Sequence, residues 1–151
     1  MDISIENFLD EKIMGVDLEA ETKDDAIQVL SKMLLNEGYI NNIDDYKKDI
    51  YYRESLGTTG IGNYIAIPHG KSEGVYKNGI AIGKFKNEIP WETLDDKGVK
   101  IVCLFAVRDE EGGSDMHLKL LASIAGKLGN DNVVENLLNA TSVIEMTNIL
   151  S

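Results

Sequence analysis

Cysteine, histidine, positive charge and long apolar runs are all scarce in this chain of 151 residues. Its one cysteine, Cys103, excludes an internal disulfide framework and fits a reducing compartment. One cysteine and two histidines, His69 and His117, are too few for a closed Cys/His zinc site. Only 15 basic residues stand against 26 acidic ones, a net charge of −11, so the basic footprint that nucleic acid demands is missing. The same imbalance argues against an anionic membrane surface. No apolar run approaches the ~20 residues that cross a bilayer. The opening MDISIENFLDEK is acidic and lacks the basic-then-apolar pattern of a signal peptide, so the expectation is a cytoplasmic protein without a leader.

What remains is enough for one domain with a real core, 43% of the residues being hydrophobic. A short leading strand is expected near Lys12–Leu18. Thr22 is a good helix N-cap, with Asp24 and Asp25 in the first turn, where the helix dipole favours anions. Ala26, Ile27, Leu30, Met33 and Leu34 follow at helical spacing, and Gly38 is placed to end that helix. Asn42 begins a second helical stretch carrying Ile43, Tyr46 and Ile50 on one side, with Arg53 at or near its end. Gly79–Phe85 reads as a strand, Asn87–Gly98 as a connecting loop, and the seven apolar residues Ile101–Val107 as a central strand buried on both faces. After a polar loop, Arg108–Ser114, the stripe Leu118, Leu121, Ala122, Ala125 and Leu128 predicts a helix starting close to His117. Asp131–Asn139 and Ser142–Leu150 read as two short helices, and Ser142 with Glu145 forms a capping box. Helices interleaved with buried strands predict an α/β sandwich: a single domain, residues 1–151, with a mixed central sheet flanked by helices.

The stretch Tyr52–Ser72 concentrates the residues with special chemistry. It holds Arg53, a turn rich in glycine and threonine (Gly57, Thr58, Thr59, Gly60, Gly62), a short apolar run Tyr64–Ile67, and Pro68-His69-Gly70. The run, bounded by glycine and proline, reads as a buried strand, with His69 just past its C-terminal end, where α/β folds tend to place reaction sites. Two nucleotide motifs nearly match and fail: Gly70-Lys71-Ser72 ends like a phosphate-binding loop and Gly60-Ile61-Gly62 begins like a dinucleotide fingerprint. Each needs a further glycine where this chain has Ile65.

Most of these residues also have plainer readings. Cys103, inside an apolar run, is a buried inert thiol rather than a nucleophile. The glycines and both threonines serve equally as turn residues. Trp91 can simply pack on the core edge. Taken alone, His69 reads as readily as a loop histidine without a role, and His117 as an ordinary first-turn residue. Together with Arg53 and a turn rich in N–H and hydroxyl donors, His69 becomes a candidate reactive residue.

Arg53-Glu54, then Thr58-Thr59-Gly60-Ile61-Gly62, then Ile65-Ala66-Ile67-Pro68-His69, resembles the signature of the phosphotransferase-system enzyme IIA domains of the fructose/mannitol type. His117-Leu118 leading into Leu120-Leu121-Ala122 is similar to that family's second histidine at the start of its later helix, and the resemblance runs over essentially the whole chain. Tyr64 stands where the family often has a small residue, and Arg108 where a proline is common.

The resemblance implies a phosphoryl carrier without cofactor or metal. His69 accepts phosphate from the histidine-containing phosphocarrier protein through Nε2, its Nδ1 fixed by a hydrogen bond, and passes it to a cysteine of a IIB domain. Contact with the membrane is only indirect, through a IIC transporter. An imidazole attacks phosphorus as the neutral base. Charge spread over the transferring oxygens suits the planar fork of Arg53, with His117, Thr59 and Gly60 as further donors. Two other readings stand beside it. One is a regulatory, nitrogen-branch IIA-like protein whose phosphorylation changes its partners. The other is a metal-dependent hydrolase using His69 and His117, for which no carboxylate lies at familiar ligand spacing.

Overall fold

The run of seven apolar residues becomes the middle of the longest-buried strand, β6 (Val99–Arg108), to which the rest of the sheet is attached. The computed structural model describes residues 5, 8–109 and 113–151, with residues 113–117 described as backbone only. Six strands form one mixed sheet: β1 (Met14–Leu18), β2 (Gly60–Gly62), β3 (Ile65–Ala66), β4 (His69–Ser72), β5 (Gly79–Ile89) and β6. One edge of β6 pairs antiparallel with β5, which in turn pairs parallel with β1. The other edge pairs parallel first with β3 and then with β4, and β2 closes a short hairpin onto β3.

Alternation along β6 decides the layers. Val102, Leu104 and Ala106 join one buried cluster, beneath α1 (Lys23–Asn36) and α2 (Ile43–Ser55). Ile101, Cys103, Phe105 and Val107 join the other, beneath α3 (Gly113–Leu128), α4 (Asp131–Asn139) and α5 (Val143–Leu150). A strand that must be apolar on both faces is therefore a continuous apolar run, as its sequence shows. Among the described residues no helix is long and apolar enough to cross a membrane.

The helix caps are where local chemistry puts them. Thr22 and Asn42 accept N–H bonds from Asp25 and Asp45 at 3.1 and 3.0 Å, and Gly38 takes a positive φ just past α1. Ser142 caps α5 through the Glu145 N–H at 3.1 Å, but the reciprocal arm differs from a capping box: the Glu145 carboxylate reaches Thr141, one residue earlier.

Several boundaries depart from the expectations. Lys12 and Ile13 belong to a 3₁₀ turn (Glu11–Ile13), and β1 begins at Met14. β5 continues through Ile89, because Val99 at the start of β6 offers it a partner. Arg108 ends β6, and α3 begins at Gly113, a turn before His117.

The largest correction concerns residues 60–72. The glycine-threonine turn contains β2, and His69, which does lie just past the expected short strand (β3), itself opens a further strand, β4. β3 and β4 keep one offset against β6: Ile65 and Ala66 face Ile101 and Val102, and His69 to Ser72 face Phe105 to Arg108. They are one strand line interrupted at Pro68, which has no N–H to donate but whose carbonyl accepts from Phe105 N at 2.9 Å. The hairpin before it turns through Asn63 and Tyr64, both with positive φ (55° and 68°), the backbone of a primed two-residue turn. Tyr64, the position with an unexpectedly large residue, sits there with its ring beneath Lys97 and Lys100, at 5.5 and 5.2 Å.

Candidate functional site

α2 lies directly on β4, and the sequence permits this at one glycine. A Cβ on Gly70 would stand 2.7 Å from Tyr46 Cε1 and 2.9 Å from Ile50 Cγ1, two side chains fully buried on α2. Tyr46 also anchors the helix to the sheet, its hydroxyl donating to the Phe105 carbonyl at 2.7 Å. Held this way, the last turn of α2 passes beside the first residue of β4, and Arg53 meets His69.

His69 shares the sheet face of its register partner Phe105, whose ring it meets edge-on with centroids 6.5 Å apart. Its Nδ1 lies 3.1 Å from the Ile67 carbonyl, and its Nε2 receives the Arg53 Nε–H at 3.0 Å. A carbonyl can only accept and a guanidinium can only donate, so the two contacts specify the same neutral tautomer: Nδ1 carries the proton and Nε2 the lone pair. Burial lowers the pKa of the ring, and the Arg53 charge adds to that, while the Ile67 carbonyl and Glu54 pull the other way; the net position is below the ordinary 6.5. Arg53 is itself aimed by a second bond, Nη1 donating to the Gly57 carbonyl at 3.0 Å.

Around this pair opens a cleft of about 610 Å³ lined by residues from α2, β4, the end of β6 and α3, with Leu118 and Leu121 among them. Its lining mixes charged side chains, Asp49, Lys71 and Asp109, with apolar ones at the rim, of which Tyr52, Leu56 and Leu118 are 68%, 67% and 60% exposed. Exposed apolar side chains beside a nitrogen that carries a lone pair form a surface that a partner protein can cover.

The other predicted donors are placed differently. The Thr59 hydroxyl, 3% exposed, donates to Glu54, and the Gly60 N–H donates to Thr58 Oγ1 at 3.1 Å. Both are engaged within the turn rather than directed at the cleft. Gly60 is required there by close approach, since a Cβ would stand 2.4 Å from the Glu92 carbonyl oxygen. His117 falls in α3, one residue before the cleft-lining Leu118, and its side chain lies outside the described residues. Sequence reasoning missed the ion pair of Glu54: Lys23, 31 positions before it, and Glu92, which Lys23 also meets, have no periodicity or motif that points to it.

The model of the family described as "Phosphoenolpyruvate-dependent sugar phosphotransferase system, EIIA 2" matches residues 7–151. The chain belongs to this family. A mannitol-specific phosphotransferase enzyme IIA component of Halalkalibacterium halodurans is 30% identical, the match covering 93% of this chain and 92% of that protein. The nitrogen regulatory protein IIA-Ntr of Neisseria meningitidis superposes with a TM-score of 0.88 at 26% identity, over 97% of this chain and 99% of that one. The IIA mannitol enzyme of Escherichia coli, solved in complex with phosphorylated IIB, gives 0.79 at 26% identity, over 94% and 96%. The chain spans about a fifth of the length of the multidomain EIIABC relatives it also matches, 20% and 23% in two cases. Within the IIA family, then, the mixed sheet with helices on both faces is the expected fold.

Proposed function

We propose that residues 1–151 form one IIA domain that relays a phosphoryl group, His69 being the acceptor. The Nε2 lone pair attacks the phosphorus of a phosphohistidine on the phosphocarrier protein. A phosphorus–nitrogen bond forms at His69 as the donor's breaks, its electrons returning to the donor imidazole. In the second half the thiolate of a IIB cysteine takes the phosphorus, and the electrons of the broken bond return to His69 Nε2. The observation that carries this reading is the tautomer: the Nδ1–H is held by Ile67, so the lone pair sits on the nitrogen that faces Arg53.

Arg53 occupies that lone pair at rest. When the phosphoryl group arrives, the guanidinium exchanges the nitrogen for the equatorial oxygens, where its fork can bind two at once. His117 supplies a further donor from α3. Thr59 and Gly60 contribute by shaping the turn that aims Arg53. Apolar residues on the rim exclude water while the two histidines meet, which strengthens these charge contacts.

Incubation with the phosphocarrier and its phosphodonor is expected to add one phosphate, labile in acid and stable in base. His69→Ala abolishes it; continued labelling at His117 or on a serine overturns the assignment. A second reading is favoured by the close superposition on a nitrogen regulatory IIA: phosphorylation alters partner binding and feeds no transporter. The two differ in onward transfer. A transport carrier loses its label rapidly to one sugar-specific IIB of the same genome. A regulator keeps it, and binding to another protein changes by a coupling of roughly 1–3 kcal/mol.

A further inference from the structure

We infer that Glu54 is a positioning residue for phosphoryl transfer, holding both partners of the His69 ring in place through Thr59. The inference rests on His69 being the acceptor. Glu54 follows Arg53 in α2, yet its carboxylate is turned inward and is only 6% exposed. Oε1 accepts the Thr59 hydroxyl and Oε2 accepts Lys23 Nζ at 2.8 Å. Lys23 also meets Glu92 at 3.0 Å and lies 5.0 Å from the centre of the Trp91 ring. Burial works against the Lys23 ammonium, but its bonds to the two carboxylates outweigh it and hold its pKa above the ordinary value. A buried carboxylate is costly unless paired and hydrogen-bonded, and here it is both.

From Thr59 two arms reach His69. The Thr59 carbonyl accepts the Ile67 N–H at 2.9 Å, and the Ile67 carbonyl accepts the Nδ1–H of His69. In the other direction, the bond between Thr59 and Glu54 closes the base of the turn that contains Gly57, whose carbonyl holds Arg53 Nη1. Thr58 seals the same turn from outside, its hydroxyl donating to the Glu92 carbonyl. Glu54 thus fixes the carbonyl that sets the tautomer and the carbonyl that aims the guanidinium. An ionised carboxylate accepts on both oxygens, so the direction of the Thr59 bond is set. An amide at position 54 would turn a donor toward either Thr59 or the Lys23 ammonium.

The experiment compares Glu54→Gln, Thr59→Val and Thr59→Ser with the unaltered protein. Phosphoryl acceptance is measured across phosphocarrier concentrations, and the ring nitrogens of His69 are followed by ¹⁵N NMR. Glu54→Gln and Thr59→Val are expected to lower kcat by roughly 10- to 100-fold, the scale of a small misplacement at a reacting centre. KM for the phosphocarrier stays unchanged, because neither side chain reaches the rim. The Nε2 resonance moves toward that of an imine-type nitrogen without a donor, and Thr59→Ser restores both readouts. The double variant Glu54→Gln/Thr59→Val is no slower than the worse single one, since both break one link. Lower thermal stability with unchanged kcat and unchanged His69 resonances would make Glu54 structural only and overturn the inference. If the unaltered protein takes no phosphate on His69, the acceptor assignment fails instead, and the resonances still report whether Glu54 holds the ring. Thr59→Val, which matches threonine in shape, and Thr59→Ser, which keeps the hydroxyl, keep the test open should Glu54→Gln fail to fold.

Discussion

Arg53 Nε stands 3.0 Å from His69 Nε2, so a guanidinium donates to the one ring nitrogen that carries a lone pair. Under the proposed relay, the contact holds the imidazole in the neutral form that can attack phosphorus and covers it until a better acceptor for the guanidinium, a phosphoryl group, arrives. It requires geometry as well as charge, because the same guanidinium must keep its bond to the Gly57 carbonyl.

Arg53→Lys keeps the charge and loses the fork. Acceptance of phosphate by His69 is expected to slow by about 10²–10³-fold, the size of losing one preorganised donor, with the unfolding midpoint little changed. Rapid-quench transfer assays together with thermal denaturation check this; unchanged rates would reduce Arg53 to a helix-end residue.

The pKa of His69 fixes the sign of a pH dependence. Burial of the ring, aided by Arg53, keeps the folded-state value below the ordinary 6.5. Between the two values the unfolded chain takes up a proton that the folded one refuses, so stability falls as the pH is lowered through that window, and the loss is complete below the folded value. An NMR titration of the His69 ring is expected to give a midpoint below 6.5. Urea unfolding should show the native protein losing more stability on acidification than His69→Gln. A midpoint at or above the ordinary value contradicts this.

Gly70→Ala separates rate from stability. The new methyl would press on Tyr46 and Ile50, both fully buried, at a cost of about 1–3 kcal/mol for overpacking. Relief by a shift of α2 carries Arg53 away from His69, so transfer is expected to fall more than the folded population does. Circular dichroism and transfer rates on one sample decide; a proportional loss would mean that α2 does not move.

Ser142→Ala is the converse case. It removes the cap that accepts the Glu145 N–H at 3.1 Å, costing about 1 kcal/mol. α5 does not line the cleft, and transfer per folded molecule is expected to be unchanged, as activity normalised to the folded fraction would show.

Legibility in the sequence followed the range of the forces. Caps at Thr22, Asn42 and Ser142 are local hydrogen bonds between neighbours, and they were readable because a hydroxyl or amide three residues before an N–H has few other uses. β6 was readable because burial on both faces leaves no polar position. β4 was not: His-Gly-Lys-Ser has little intrinsic preference for a strand, and it pairs because the far half of β6 offers an open edge. Arg53 and His69 could be picked out by residue type, whereas their contact depends on how closely α2 sits on Gly70. Thr59 and Gly60 are legible as donors, but their acceptors, Glu54 and Thr58, are met only because the turn folds back on itself, and that folding is held by a distant contact, Thr58 to the Glu92 carbonyl. The role of Lys23 left no trace in its neighbourhood for the same reason.

The shared offset of β3 and β4 against β6 makes the position of His69 a matter of counting. A one-residue deletion between Ile65 and His69 could not be taken up as slack, since strand faces alternate residue by residue. It would carry the imidazole through the sheet, from the face of Phe105 to that of Tyr46 and Ile50, and set Gly70 where the reactive ring had been. Length variation among relatives should therefore be sparse in this segment. It should collect in the connections after β4 and β5, where an added residue changes the outline of the molecule and leaves the address of the histidine intact.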